Sequence, residues 1–309
     1  MTEIREIASG LQFPEGPVAL PDGDILVVEI ARGTLSRVKP NGRVEVVAEP
    51  GGGPNGAAIG ADGKCYLCNN GGFRWHRRGD LLLPGLQDED YSGGRIERVD
   101  LDTGAVEVLY TECDGEPLKG PNDLVIDRDG GIWFTDHGKA RWRDRDRGGV
   151  FYAEPDGSRI VEVIHPIEDP NGIGLSADEN WLYVAETHAA RLWAYRIAGP
   201  GEIVKGQGEI RWQHGRLLAG APDFRLFDSL ALDSAGNICV GTIIKAGITV
   251  ISAQGGIIDH VATPGDETAT NICFGGPDLK TAYITLSTTG KLVACEWPRP
   301  GLPLNFLNK

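Results

Sequence analysis

The chain has 309 residues, enough to bury a large core in one domain. Its formal net charge is −14, which disfavours nucleic acid or an anionic membrane as partner, and no run of eighteen apolar residues is present to span a bilayer. Glycine (44) and proline (19) suit a fold with many tight turns, while helix signals are sparse.

The start, Met1-Thr2-Glu3-Ile4-Arg5-Glu6, lacks a basic region followed by an apolar one, so no signal peptide and a cytoplasmic location are expected. Residues 2–9 alternate Ile4 and Ile7 with polar neighbours and read as a short strand. Phe13-Pro14-Glu15-Gly16 then leads into strands near 17–20, 24–30, 34–39 and 44–49, with Pro21-Asp22-Gly23 and Pro40-Asn41-Gly42 as turns. Pro54-Asn55-Gly56 opens a second set, which is interrupted by an insertion at 71–93 and resumes at 95–100 and 106–111. The insertion carries Arg74-Trp75-His76-Arg77-Arg78; one short basic cluster on an acidic chain reads as a loop over a scaffold, not a nucleic-acid site.

Gly120-Pro121-Asn122-Asp123 opens a third set, with a second insertion at 138–148. Pro170-Asn171-Gly172 opens a fourth, whose outer strand is placed at Ile210-Arg211-Trp212. Phe227-Asp228-Ser229 opens a fifth with strands near 238–243, 247–251 and 257–262. Thr270-Asn271-Ile272 opens a sixth with strands near 281–286 and 290–296. The six cysteines are Cys65, Cys68, Cys113, Cys239, Cys273 and Cys295. Cys65 and Cys68 form one C-x-x-C without a second pair, so buried free thiols are expected rather than a metal knot or a disulfide framework.

The opening residues of the six sets are Glu15, Asn55, Asn122, Asn171, Asp228 and Asn271, spaced by 40, 67, 49, 57 and 43 residues. A repeat of this length with several short strands predicts an all-β fold, a six-bladed β-propeller over residues 1–309. The sixth set lacks a fourth strand before the proline-rich tail. Residues 2–9 supply one, so an N-terminal strand completing the last blade closes the ring and removes an open edge.

In a propeller the starts of the innermost strands ring one mouth of the channel. The six side chains all carry oxygen and two are anionic, a hard donor set suited to calcium, magnesium or manganese. A divalent cation there could polarise a carbonyl or activate water, with Glu15 and Asp228 neutralising charge and Asn122 and Asn171 as neutral ligands. The joins between second and third strands lie at the same mouth. They carry both insertions, His137, His188 and Lys245, and are expected to contact substrate. G-x-S-x-G, H-E-x-x-H, a phosphate loop and an EF-hand loop are absent from the sequence.

Phe13-Pro14-Glu15-Gly16-Pro17, Pro121-Asn122-Asp123, Asp169-Pro170-Asn171-Gly172, Phe227-Asp228-Ser229-Leu230-Ala231 and Asn271-Ile272-Cys273-Phe274-Gly275-Gly276 resemble, in order, the motifs of the gluconolactonase/regucalcin family. A more distant likeness is to the diisopropyl-fluorophosphatase enzymes. The resemblance implies a six-bladed propeller holding one divalent cation. Its implied ligands are Glu15, Asn171 and Asp228, with Asn122 as a further ligand or a substrate-orienting residue and Asp228 as general base. Calcium fits the oxygen set best; zinc, manganese and magnesium serve similar proteins. Sugar-lactone members often carry an arginine two residues before the motif asparagine, where this chain has Gly120, and Ser229 follows Asp228 where glycine is usual.

The expected activity is metal-dependent hydrolysis of a small lactone. Asn122, Asn55, Asn271, His137 and His188 are expected to face substrate, and insertions 71–93 and 138–148 to select it. The competing readings are a propeller that binds a metal or ligand without catalysis, and a hydrolase of organophosphates or other activated esters. A monomer or small homo-oligomer is expected.

Overall fold

The computed structural model describes residues 3–206 and 214–309. Among them every regular element is a β-strand, and every strand pairing is antiparallel. Among the described residues no helix is long and apolar enough to cross a membrane.

Four sheets follow the repeats in sequence order. Pro14–Ala19, Ile25–Glu29, Thr34–Val38 and Val44–Ala48 form the first; Pro54–Ile59, Cys65–Asn69, Arg95–Val99 and Val106–Tyr110 form the second. Pro121–Ile126, Ile132–Asp136, Gly148–Ala153 and Ile160–Ile167 form the third. The fourth joins Pro170–Leu175, Trp181–Glu186 and Arg191–Gly199, with Arg216–Gly220 and Glu202–Ile203 both paired to Arg191–Gly199. The outer strand expected at 210–212 lies outside the described residues.

The last two repeats merge into one eight-stranded sheet. The link is short: Thr242 pairs with Ala269 and Ile243 with Thr268. Ile4–Ala8 pairs with Lys291–Glu296, the pairing expected for the N-terminal strand. It covers an edge that would otherwise present free backbone groups.

Pro14–Ala19 packs on Pro54–Ile59, which packs on Pro121–Ile126, then Pro170–Leu175, Leu226–Leu232 and Thr268–Gly275; the last packs back on the first. Apolar side chains from neighbouring sheets fill the spaces between them, as with Tyr66, Ile96, Phe134 and Phe151 in one cluster and Trp133, Val184, Trp193 and Tyr195 in another. All six cysteines are free and buried, as expected.

Each of these inner strands is bulged where its motif residue sits. The register shifts between Glu15 and Val18, Pro54 and Ala57, Pro121 and Leu124, Pro170 and Ile173, Phe227 and Leu230, and Ala269 and Asn271. A bulge re-aims the side chain it carries. The motif residues lie one to three places inside their strands, where the sequence reading put them at the strand starts and Glu15 just before one. Glycine beside the bulge sets how closely the strands approach. A Cβ on Gly16 would fall 2.5 Å from the Asn55 carbonyl oxygen, and one on Gly56 or Gly172 2.7 Å from that of Asn122 or Asp228.

The two insertions are ordered and touch. Residues 71–93 contain a hairpin, Trp75–Arg78 with Leu81–Pro84, whose Leu82 amide donates to the Thr288 carbonyl. The Gln87 amide donates to the Ala140 carbonyl on the other insertion. Buried Lys139 ties them further: its Nζ lies 2.8 Å from the Gly72 carbonyl, 3.1 Å from Asn70 Oδ1 and 3.8 Å above the Phe73 ring. Burial lowers its pKa to about 7.

Candidate active site

The bulged inner strands bring Glu15, Asn55, Asn122, Asn171, Asp228 and Asn271 to buried positions, each 9% exposed or less. Their partners differ. Glu15 Oε2 accepts from the Gly16 amide at 3.0 Å and from Asn271 Nδ2 at 2.9 Å. Asn271 Oδ1 accepts from the Ile272 amide at 2.8 Å, so both ends of this side chain are engaged within the protein. Asn271 thus holds Glu15 with one of its two N–H groups and keeps one donor and one lone pair. Asn171 Nδ2 donates to Thr187 Oγ1 at 3.1 Å, and its Oδ1 accepts from Ser229 Oγ at 3.3 Å. Asn122 Oδ1 is buried with no hydrogen-bond partner.

A third carboxylate belongs to this group. Asp123 occupies the place after the motif residue where the first, second and fourth repeats carry Gly16, Gly56 and Gly172. It is 7% exposed, and its Oδ1 accepts from the Leu124 amide at 2.9 Å. Burial, and next the charge of Glu15, raise its pKa to about 7. Asp228 is pushed well above the usual carboxylate range by burial and then by Glu15 and Asp123. Burial also raises Glu15, against hydrogen bonds from Thr270, Asn271 and Gly16. The sequence reading quoted Asp123 only within its motif. The signal that could have found it is the break in the glycine pattern at the third repeat.

Three buried carboxylates, of which Glu15 raises the proton affinity of Asp123 and of Asp228, are short of positive charge. A bound cation would relieve that deficit, and the partnerless Asn122 Oδ1 is a ready neutral donor. By donor chemistry the ring therefore fits a hard divalent cation. Beneath the ring runs a mainly apolar cavity of about 250 Å³. It is lined by Gly16, Asp123 and Asn271, by Leu124, Ile173 and Leu230, and by Leu302, Leu304 and Leu307 of the C-terminal tail.

His137 and His188 do not join the ring. They meet Asp169 in a separate cluster, with one ligand atom from each within 4.8 Å of the others. His188 Nδ1 is 2.7 Å from Asp169 Oδ2, and Arg145 of the second insertion pairs with Asp169 Oδ1. Burial, then the charges of His188, Arg145 and Lys139, lower the pKa of His137 to about 3. Asp136, the neighbour of His137, has its oxygens engaged by the backbone amides of Lys119, Gly120 and Gly138. A side chain at 120 is excluded, since a Cβ there would lie 2.6 Å from the Gly138 carbonyl oxygen.

The chain is similar to known proteins. A gluconolactonase of Zymomonas mobilis is 26% identical over 304 residues, covering 89% of this chain and 76% of that protein. Lactonase drp35 of Staphylococcus saprophyticus is 28% identical over 258 residues, covering 83% and 71%. The solved structure of a gluconolactonase from Xanthomonas campestris superposes with a TM-score of 0.74 at 24% identity, covering 96% of this chain and 90% of that one, and so shares the fold. The model of the SMP-30/gluconolactonase/LRE-like region matches residues 13–288, which include every motif residue of the ring, and the chain belongs to that family.

Proposed function

We propose that this protein is a metal-dependent lactonase built as a single six-bladed propeller. The blade count is supported by the six bulged inner strands packed in a closed cycle and by the N-terminal strand on the last sheet. The observation that carries the activity is the buried group of Glu15, Asp123 and Asp228 beside the partnerless Asn122 Oδ1. Relatives named gluconolactonase and lactonase supply the reaction class.

Glu15, Asn171 and Asp228 would hold the cation, with Asn122 as a further ligand. When bound, the cation supplies Lewis-acid polarisation of the lactone carbonyl. Asn271 and the Gly16 amide aim Glu15, and Thr187 and Ser229 aim Asn171. Calcium best matches donors that are all oxygen. Asn122, Asn55, Asn271, His137 and His188 remain the proposed substrate contacts, with the joined insertions as the proposed wall beside them.

Two measurements test this reading. Elemental analysis after purification in metal-free buffer, followed by titration with calcium, zinc, manganese and magnesium, should give one bound ion per chain. A panel of aldonolactones, aromatic lactones and an organophosphate ester should show metal-dependent turnover of lactones. Binding of one ion with no turnover of any substrate would favour a non-catalytic binding propeller. Turnover confined to the organophosphate would move the chain to the esterase class.

A further inference from the structure

The cluster at Asp169 has the arrangement of an oriented base. The Asp169 side chain is 5% exposed, and its two oxygens are taken by Arg145 and by His188 Nδ1. A carboxylate held by a guanidinium is an acceptor only, so the 2.7 Å contact requires a proton on Nδ1 of His188. The lone pair of the neutral ring is then on Nε2. The His188 side chain is 60% exposed, so this nitrogen is open to a reactant.

Position ties the cluster to the ring. Asp169 is two residues before Asn171. Thr187, the neighbour of His188, accepts from Asn171 Nδ2 at 3.1 Å and donates its amide to the Asp169 carbonyl at 3.0 Å. The His188–Asp169 pair thus stands on the strand ends that present Asn171. Burial, and next the charge of Arg145, keep His188 below its ordinary 6.5, so it is neutral at neutral pH. The charged and titratable groups facing it are Asp169, Arg145 and His137, the last held neutral.

We propose that His188, oriented by Asp169, accepts the proton of the water that attacks the lactone carbonyl, leaving Asp228 as a metal ligand. The inference rests on the lactonase reading. The water oxygen bonds to the carbonyl carbon while its proton passes to Nε2, and the carbonyl π pair moves onto oxygen. The resulting imidazolium is stabilised by Asp169. Collapse of the tetrahedral intermediate reforms the carbonyl and breaks the ring C–O bond, and the ring oxygen takes the proton back from His188. The product is the hydroxy acid, and the histidine returns neutral. His188 is the catalytic residue here; Asp169 and Arg145 position it.

The experiment compares metal-saturated wild type with His188→Gln, His188→Ala and Asp169→Asn on the best lactone of the panel. His188→Gln should lower kcat by about 10²-fold or more while KM and bound metal stay unchanged. The wild-type profile of kcat should fall as pH drops through the His188 pKa, below 6.5, and that limb should be absent in His188→Gln. Added imidazole should restore part of the turnover of His188→Ala. Asp169→Asn, which cannot hold the same tautomer, should lower kcat with metal content intact. In the metal-free wild type the His188 ring protons, followed by NMR, should titrate below 6.5. Retention of kcat and of the acid limb in His188→Gln overturns the proposal. So does loss of bound metal in that variant, which would make His188 a ligand. If wild type turns over no lactone, the lactonase reading fails and this inference falls with it.

Discussion

The mouth holds two acid-bearing clusters that differ in what balances their charge. In the ring, Glu15, Asp123 and Asp228 are surrounded by amides and hydroxyls; burial raises the proton affinity of all three, and the charge of Glu15 adds to it at Asp123 and Asp228. At the rim, Asp169 is equally buried but carries Arg145 and His188 on its two oxygens. Burial alone therefore does not define the chemistry. A cluster that lacks cations of its own suits a metal ion. One whose carboxylate is already paired can instead hold an imidazole in a fixed tautomer.

The comparison breaks most visibly if the ring loses a charge. Glu15→Ala or Asp228→Ala should abolish tight metal retention and cut turnover by about 10³-fold at stoichiometric metal, given several kcal/mol of cation stabilisation in the transition state. Metal content by elemental analysis and initial rates check this. Asp228→Asn keeps one oxygen ligand. Excess metal should return its turnover to within about tenfold of wild type if Asp228 is only a ligand, whereas a persistent loss of about 10² or more would make it the base.

A second effect separates the clusters by pH. Acids whose folded pKa is raised contribute stability that is complete below their unfolded pKa and is lost as pH rises through the folded one. For Asp123 that window runs from 3.8 to about 7, and Glu15 and Asp228 shift in the same direction. The thermal midpoint of the metal-free protein should therefore fall between about pH 4 and 7, and a saturating cation should flatten the fall. Asp123→Asn should flatten it without metal. The rim works against this slope, because His137, held down to about 3, and His188, held below 6.5, add stability as pH rises toward 6.5, so the share of the ring is read as the difference between wild type and Asp123→Asn.

The smallest effect sharpens the rim. Arg145→Met removes a positive charge that lowers the His188 pKa, so the acid limb of kcat should move to higher pH, by about half a unit for a charge that exposed. An unchanged limb would mean that Arg145 positions Asp169 without tuning the histidine.

Much of the scaffold was legible because the repeat is local. Each copy carries its own turn, motif residue and strand pattern, and alternation assigns one face of each strand without knowledge of the neighbours. The strands at 238–243, 247–251 and 257–262 and the closing role of the N-terminal strand could be read this way. The ring positions were legible for the same reason, since aligned copies of a repeat occupy equivalent places. Asp123 was missed because its significance lies in departing from the glycine pattern, and because its proximity to Glu15 joins residues 108 positions apart in the chain.

By itself the sequence determined an all-β chain of repeated units, the oxygen-bearing residue that opens each unit, and the family that shares those motifs. Tertiary structure alone decided what faces what. Bulges turned the motif side chains inward, and close strand contacts at Gly16, Gly56 and Gly172 set how tightly they converge. The folded insertion lays Arg145 on Asp169, and that carboxylate singles out His188 among the rim residues by holding its ring. Local patterns encode which strands form. The charge balance of a site depends on distances between residues far apart in the chain, and those exist only after the sheets have packed.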